Sequence, residues 1–81
     1  MTKRELRKER FGVSDIDEAS DTLTYIGKVD GDGFWIVVKI DESSGTSFTY
    51  ASARNNPTTT SYAQAWANRT SLTYGNYEEA V

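Results

Sequence analysis

The chain has 81 residues, no cysteine, no histidine and a formal net charge of −3. This length allows one small domain, and a mean hydropathy of −0.62 predicts a soluble domain without a membrane span. Without cysteine or histidine the chain has no disulfide scaffold, no usual zinc module and no histidine-based catalytic site. We therefore expect neither enzymatic activity nor a cofactor.

The charge is divided unequally along the chain. Residues 1–11 hold five basic and two acidic residues, a net charge of +3, and residues 12–81 hold four basic and ten acidic residues, a net charge of −6. Phosphates would be repelled by a body of that charge, so nucleic-acid binding is not favoured. The first residues lack the apolar segment of a secretory signal, which predicts synthesis in the cytoplasm.

Residues 1–21 are predicted to be a charged N-terminal arm, and residues 22–81 a small β-domain. The apolar residues of the arm never recur at a spacing that builds a continuous face, so the arm cannot form its own core. It is either disordered in the free protein or ordered on a partner. In the second case the docking residues are Lys3, Arg4, Leu6, Arg7, Lys8, Arg10 and Phe11.

Two segments of the arm carry helix-start patterns. Residues 3–11 follow a capping-box spacing and precede Gly12, which predicts a short helix. Residues 14–17 repeat the capping pattern and predict one further helical turn. Neither segment is long enough to remain helical alone in water.

From Thr22 onward, apolar and polar residues alternate with the period of a β-strand. Residues 22–29 form the first predicted strand. The turn Asp30–Gly33 leads directly into residues 34–40, a hairpin pattern. Because this second strand is apolar on both faces, it should be central and covered on both sides. Residues 47–51 form the third strand of an antiparallel meander.

Residues 54–61 contain Asn55-Asn56-Pro57 and three consecutive threonines, a composition that predicts a long surface loop. Residues 62–69 are predicted to form a short helix that begins at Thr60 or Ser61, with Trp66 closing one end of the sheet. Residues 72–74 would be a last strand. The fold class predicted is mainly β: a small antiparallel meander or partly open barrel of about four strands with one short helix, preceded by an extended or partly helical arm.

Other patterns support specific chemistry only weakly. The alternating aspartates of Asp30–Gly33 suggest a calcium loop, but the first and last positions of such a loop fall on lysines, so no metal is expected. Tyr25, Trp35 and Lys39 could form a surface face of aromatic and basic side chains that binds single-stranded nucleic acid or carbohydrate. The alternative is that both aromatic rings pack in the core.

Several short motifs together resemble a group of small virion-associated structural proteins of tailed bacteriophages. The motifs are Tyr25-Ile26-Gly27, a glycine-rich turn, Trp35-Ile36-Val37-Val38-Lys39-Ile40, Trp66-Ala67-Asn68-Arg69 and Leu72-Thr73-Tyr74. The resemblance covers roughly residues 22–75, and the charged arm departs from it. It implies a minor, non-enzymatic component of the virion, made in the host cytoplasm and present in multiple copies.

Partners implied by the resemblance are other virion proteins, namely major capsid, portal or neck, and tail proteins, contacted through the arm. Capsid decoration or joining is favoured over a neck or tail position, because the chain has no coiled-coil heptads. The alternative function is a free binding module in the infected cell, acting on nucleic acid, a host protein or carbohydrate. The place in the particle, the copy number and the oligomeric state stay open.

Overall fold

A computed structural model describes residues 12–81 of the chain. Four strands form one open antiparallel sheet in the order β1-β2-β3-β4, and two short helices follow. The elements are β1 (Gly12–Ser20), β2 (Leu23–Val29), β3 (Trp35–Asp41), β4 (Ser47–Ser52), α1 (Tyr62–Ala67) and α2 (Tyr77–Ala80). The predicted mainly β meander of about four strands is confirmed.

The first edge strand lies where the sequence predicted the arm. Gly12–Ser20 pairs with β2, and Ile16 lies opposite Ile26. The helical turn expected at residues 14–17 is therefore wrong, because backbone pairing with β2 and the side-chain contact across it favour extended backbone there. The sheet begins at Gly12, ten residues before the boundary expected from the sequence. Residues 1–11, with all the predicted docking residues, lie outside the described residues.

The last strand expected at residues 72–74 is also wrong. The side-chain amide of Asn56 accepts a hydrogen bond from the Thr73 backbone N–H (2.7 Å) and donates one to the Thr73 carbonyl (3.0 Å). These bonds take the place of a strand partner. Backbone pairing to the sheet is limited to a bridge between Gly75 and Tyr50.

Of the two elements predicted at the C-terminal end, the helix is confirmed at its start and the tail is wrong. Helix α1 begins where expected, because the Ser61 side chain accepts a hydrogen bond from the Gln64 backbone N–H. The tail predicted after residue 76 instead forms α2, which Asn76 and Glu79 start with a reciprocal capping box.

The hairpin at Asp30–Gly33 forms as predicted. The Asp30 carboxylate accepts hydrogen bonds from the backbone N–H groups of Asp32 and Phe34, both at 2.9 Å. Gly33 has φ +86°, a conformation that favours glycine. The turn places Trp35–Val38 at the start of β3, and all four residues are buried, as expected for a central strand.

Strand alternation gives the sheet two faces of different character. The first, called the covered face, packs against α1 and the segment that follows it. Its core is formed by Tyr25, Trp35, Val37, Ala51 and Ala65. The opposite side is called the outer face, and its residues are Val13, Ile16, Thr24, Ile26, Lys28, Ile36, Val38, Ile40, Phe48, Tyr50 and Ser52.

Helix α2 covers one corner of the outer face. The rings of Tyr77 and Tyr50 meet edge to face with centroids 5.3 Å apart. The Ser52 hydroxyl, which is fully buried, donates to the Ala80 carbonyl. Ile36 and Val38 at the centre of this face are buried, whereas Ile16 and Phe48 towards its edges are exposed.

Candidate functional site

Two polar bridges connect the edge strand β1 to α1 and the residues after it. The Tyr62 hydroxyl donates to Asp15 Oδ2 at 2.7 Å. The Arg69 guanidinium contacts Asp17 Oδ2 through Nε at 3.0 Å and Nη2 at 2.9 Å. We call these four residues the β1–α1 clasp. They join segments about fifty positions apart in the sequence.

Gly27 makes room for the clasp. It lies opposite Asp15 in the sheet, and a Cβ atom at this position would overlap Tyr62 Oη and lie 2.8 Å from Trp66 Cε3. The missing side chain lets both rings, which stack with centroids 6.2 Å apart, lie directly on β2. Tyr62 can therefore reach across β2 to Asp15.

Arg69 contacts Trp66 and Tyr74 in addition to Asp17. Its guanidinium lies 4.6 Å from the centroid of the Trp66 ring, and Nη1 donates to the Trp66 carbonyl at 2.8 Å. The Tyr74 hydroxyl donates to the Arg69 carbonyl at 2.7 Å. Each clasp carboxylate thus has a defined partner, and Asp17 is neutralised by a cation. The arrangement holds β1 on the sheet, and it resembles a structural contact more than an acid–base pair.

The phenols of Tyr62 and Tyr74 resist ionisation. Burial raises the pKa of both groups well above the ordinary value near 10, and the hydrogen bond to the Asp15 carboxylate adds to the effect at Tyr62. The folded state therefore holds these two protons more tightly than the unfolded chain does.

We expect the free energy of unfolding to be unaffected by these two groups below pH 10 and to fall as the pH rises above it. The reason is that the unfolded chain loses both protons there while the folded state retains them. Urea unfolding between pH 8 and about pH 11 measures the effect. In Tyr62→Phe and Tyr74→Phe the decline should be shallower, and an unchanged slope in both variants would contradict the assignment.

The aromatic and basic face expected from the sequence is not on the surface. Tyr25, Trp35 and Lys39 do lie on one face of the sheet, but it is the covered face, where Tyr25 is 4% and Trp35 1% exposed. Lys39 Nζ lies 5.1 Å from the centroid of the Tyr74 ring, which packs beside Tyr25. The alternative of core packing is the correct one, because α1 and Tyr74 cover these rings.

The sequence patterns did not predict that large apolar side chains on the outer face would be exposed. Ile16 is 62%, Phe48 52% and Tyr77 57% exposed. Ile16, Ile26, Val38 and Tyr50 form one continuous row across all four strands. The alternation of residues 34–40 is a signal for an apolar second face, but the row cannot be recognised while Ile16 is placed in the arm.

Sites for small ligands are lacking in residues 12–81. No cluster of three or more acidic side chains there is arranged to hold a metal ion, and no ligand-sized cavity is present in that part of the chain. The Asp30 carboxylate, which belonged to the weak calcium pattern, binds backbone N–H groups of its own turn. Within the same residues, neither helix has the length and apolarity that crossing a bilayer requires.

The β1–α1 clasp therefore holds the edge strand on the covered face, and the outer face carries exposed apolar side chains at Ile16 and Phe48. Comparison of the chain with models of protein families, with curated proteins and with solved structures found no match.

Proposed function

We propose that this chain is a non-enzymatic assembly protein, a minor structural component of a tailed-phage particle that binds neighbouring subunits through its outer face. The observation that carries the proposal is the exposure of three large apolar side chains on this face, those of Ile16, Phe48 and Tyr77. Several exposed large apolar side chains on one face of a small domain are typical of a protein interaction site.

Covering the exposed apolar side chains of the outer face would stabilise a complex with a partner. Phe48 and Tyr77 are each more than half exposed, and an aromatic side chain can bury about 150–250 Å². At about 25 cal/mol per Å² of apolar surface removed from water, covering these two rings and Ile16 favours association by several kcal/mol. No enzyme-like pocket in residues 12–81 competes with this surface for a functional role.

The phage assignment is supported by the resemblance of the sequence motifs. Their residues have structural roles here: Tyr25 and Trp35 form the core, Gly27 admits the rings of α1, and Arg69 belongs to the β1–α1 clasp. The resemblance is thus to a folded module. Within the particle we favour decoration or joining of the capsid shell, with major capsid, portal or neck, or tail proteins as neighbours.

The basic segment of residues 1–11 is proposed as a second contact with the particle. Its net charge of +3 opposes the net charge of −6 of residues 12–81, so it suits an acidic surface on a neighbour. Binding of nucleic acid or carbohydrate loses support, because the aromatic rings on which that alternative depended, Tyr25 and Trp35, are buried.

Quantitative mass spectrometry of purified particles from the source phage tests the function. We expect the wild-type chain in a reproducible copy number, and Phe48→Asp, supplied in trans to a deletion strain, at less than about one tenth of that level. This reduction corresponds to a loss of about 1.4 kcal/mol or more in binding. A copy number that matches the capsid lattice indicates the shell, and one that matches a single symmetric ring indicates the neck or tail.

Ala63→Asp is the matched control, because Ala63 is exposed on α1, over the covered face. This variant should be incorporated like the wild type. A chain that is abundant in lysate but absent from particles would refute the proposed function.

A further inference from the structure

We infer that β1 is an edge strand that opens separately from the rest of the fold, and that the β1–α1 clasp is its latch. Residues 23–81, which hold the other three strands and both helices, are called the body. The protein then has two folded states, one with β1 paired to β2 and one with β1 released from an intact body. Both states belong to the isolated protein and are independent of the proposed function.

Strand β1 buries almost no side chain. All residues from Val13 to Ser20 are exposed except Asp17, which is partly buried. The two large apolar side chains of the strand, those of Val13 and Ile16, are 42% and 62% exposed. The core of the covered face takes no side chain from these residues. Because apolar burial is the main source of stability in a small domain, the body loses little of it when β1 leaves.

The backbone pairing of β1 is interrupted, whereas that of the body is continuous. The register of β1 on β2 shifts between Val13 and Asp15 and again between Asp17 and Ser20. By contrast, β2 pairs with β3 at seven consecutive positions, and β3 pairs with β4 at six. A bulge leaves an extra residue without a ladder partner, so the outermost ladder is the weakest of the three.

The clasp supplies the remaining attachment of β1. Within residues 12–81, the side-chain hydrogen bonds and the ion pair that join β1 to the body are those of Asp15 with Tyr62 and of Asp17 with Arg69. The Arg69 and Asp17 side chains are 27% and 31% exposed. These contacts reach over β2 from α1 and the residues after it, and they fix β1 without drawing it into the core. The opening of β1 therefore depends on the clasp, and the unfolding of the body depends on its aromatic core as well.

Release of β1 changes the chain in two ways. It exposes the main-chain groups of β2 that pair with β1. It also lengthens the part of the chain that precedes the body by the nine residues of β1, which is about 30 Å of extended chain. The clasp thus controls how far the N-terminal part of the chain can reach from the body.

Native-state amide hydrogen exchange of the full chain, resolved by residue with NMR at neutral pH, tests the separate opening. In an antiparallel sheet the amides of an inner strand point alternately to its two neighbours. We expect the β2 amides that face β1 to exchange at least about tenfold faster than the β2 amides that face β3. A single rate for both sets would overturn the inference, because β1 would then leave only when the whole sheet unfolds.

Two variants test the clasp as the latch. Tyr62→Phe removes the hydroxyl that binds Asp15 and keeps the ring, and Asp17→Ala removes the partner of Arg69. Each should speed the exchange of the β1-facing amides by about three- to tenfold, the effect of losing one polar contact near the surface. Glu18→Ala is the matched control on the same strand, outside the clasp, and should change these rates by less than about twofold. Rates that neither clasp variant alters would refute the latch.

A core variant separates the two openings. Trp35→Phe weakens the core of the body, which is equally intact whether β1 is paired or released. It should therefore speed the exchange of the β3-facing amides of β2 at least about fivefold and leave the β1-facing amides within about twofold of the wild type. An equal acceleration of both sets would show one cooperative unit and contradict a separately opening strand.

A cross-strand disulfide provides an independent test, because the chain has no cysteine of its own. Ile16 and Ile26 lie opposite each other, and opposite residues of antiparallel strands have Cα atoms about 4.5–5.5 Å apart, a separation that a disulfide can bridge. In the oxidised Ile16→Cys/Ile26→Cys variant the two sets of β2 amides should exchange within about threefold of each other. Reduction should restore the gap. A gap that persists in the oxidised protein would overturn the inference.

Discussion

Replacing Trp35 with alanine is expected to lower the free energy of unfolding by about 3–5 kcal/mol, the usual cost of removing a fully buried large ring. Trp35 is 1% exposed and is the largest fully buried side chain in residues 12–81. It lies on the covered face among Tyr25, Val37 and Ala51. Urea unfolding followed by the fluorescence of Trp66 measures the loss.

Trp35→Phe is the informative companion of this variant. The Trp35 Nε1–H is buried and makes no hydrogen bond to residues 12–81, so phenylalanine removes volume without breaking a hydrogen bond there. We expect Trp35→Phe to cost about 1–2 kcal/mol. A loss as large as that of Trp35→Ala would contradict this view of the indole.

Replacing Gly27 with alanine is expected to lower the free energy of unfolding by about 3 kcal/mol, at the upper end for an overpacked core. The added methyl group would occupy the space of Tyr62 Oη and press on the Trp66 ring. If Tyr62 moves away, its hydrogen bond to Asp15 is lost as well. Chemical denaturation at neutral pH measures the effect.

A second substitution identifies the clash. Gly27→Ala combined with Tyr62→Phe removes the nearest atom and should cost less than the sum of the two single variants. Gly31→Ala is the matched control, because a Cβ added there would meet no atom within 4 Å and the φ of Gly31 is not in the left-handed region; we expect a change of at most about 0.5 kcal/mol. Strictly additive losses in the double variant would rule out the contact with Tyr62.

The central part of the fold could be predicted because its signals are local. The Asp30–Gly33 turn, the burial of Trp35–Val38 and the Ser61 cap each depend on residues within a few positions of one another. Alternating apolar residues and turn chemistry are therefore sufficient to predict β2, β3 and α1.

The edge strand β1 could not be predicted because its alternation is interrupted. The pairing register shifts between Val13 and Asp15 and again between Asp17 and Ser20, as in β-bulges. The acidic residues between these two register shifts have the composition of a solvent-exposed segment. Two of them, Asp15 and Asp17, nevertheless bind Tyr62 and Arg69. Pairing over such sequence distances has no local signature.

The outer face could be predicted only in part, for a related reason. Alternation correctly places Ile36, Val38 and Ile40 on one side of β3. The apolar composition of both faces suggests that both are covered, which holds for the buried Ile36 and Val38 but not for Ile16 and Phe48, which are 62% and 52% exposed. Which side chains stay exposed depends on the path of the chain after β4, where the Asn56 side chain binds the Thr73 backbone, and this path has no local signal in the sequence.

The two edge strands of the sheet, β1 and β4, are poor templates for pairing with a strand of another chain. Along β4, the outward backbone groups of Tyr50 are taken by Gly75 and Asn55, and those of Ser52 by the side chains of Asn55 and Asn56. Along β1, irregular spacing disturbs the template that an incoming strand would need. Polymerisation of the sheet through main-chain hydrogen bonds at its two edges is thereby disfavoured.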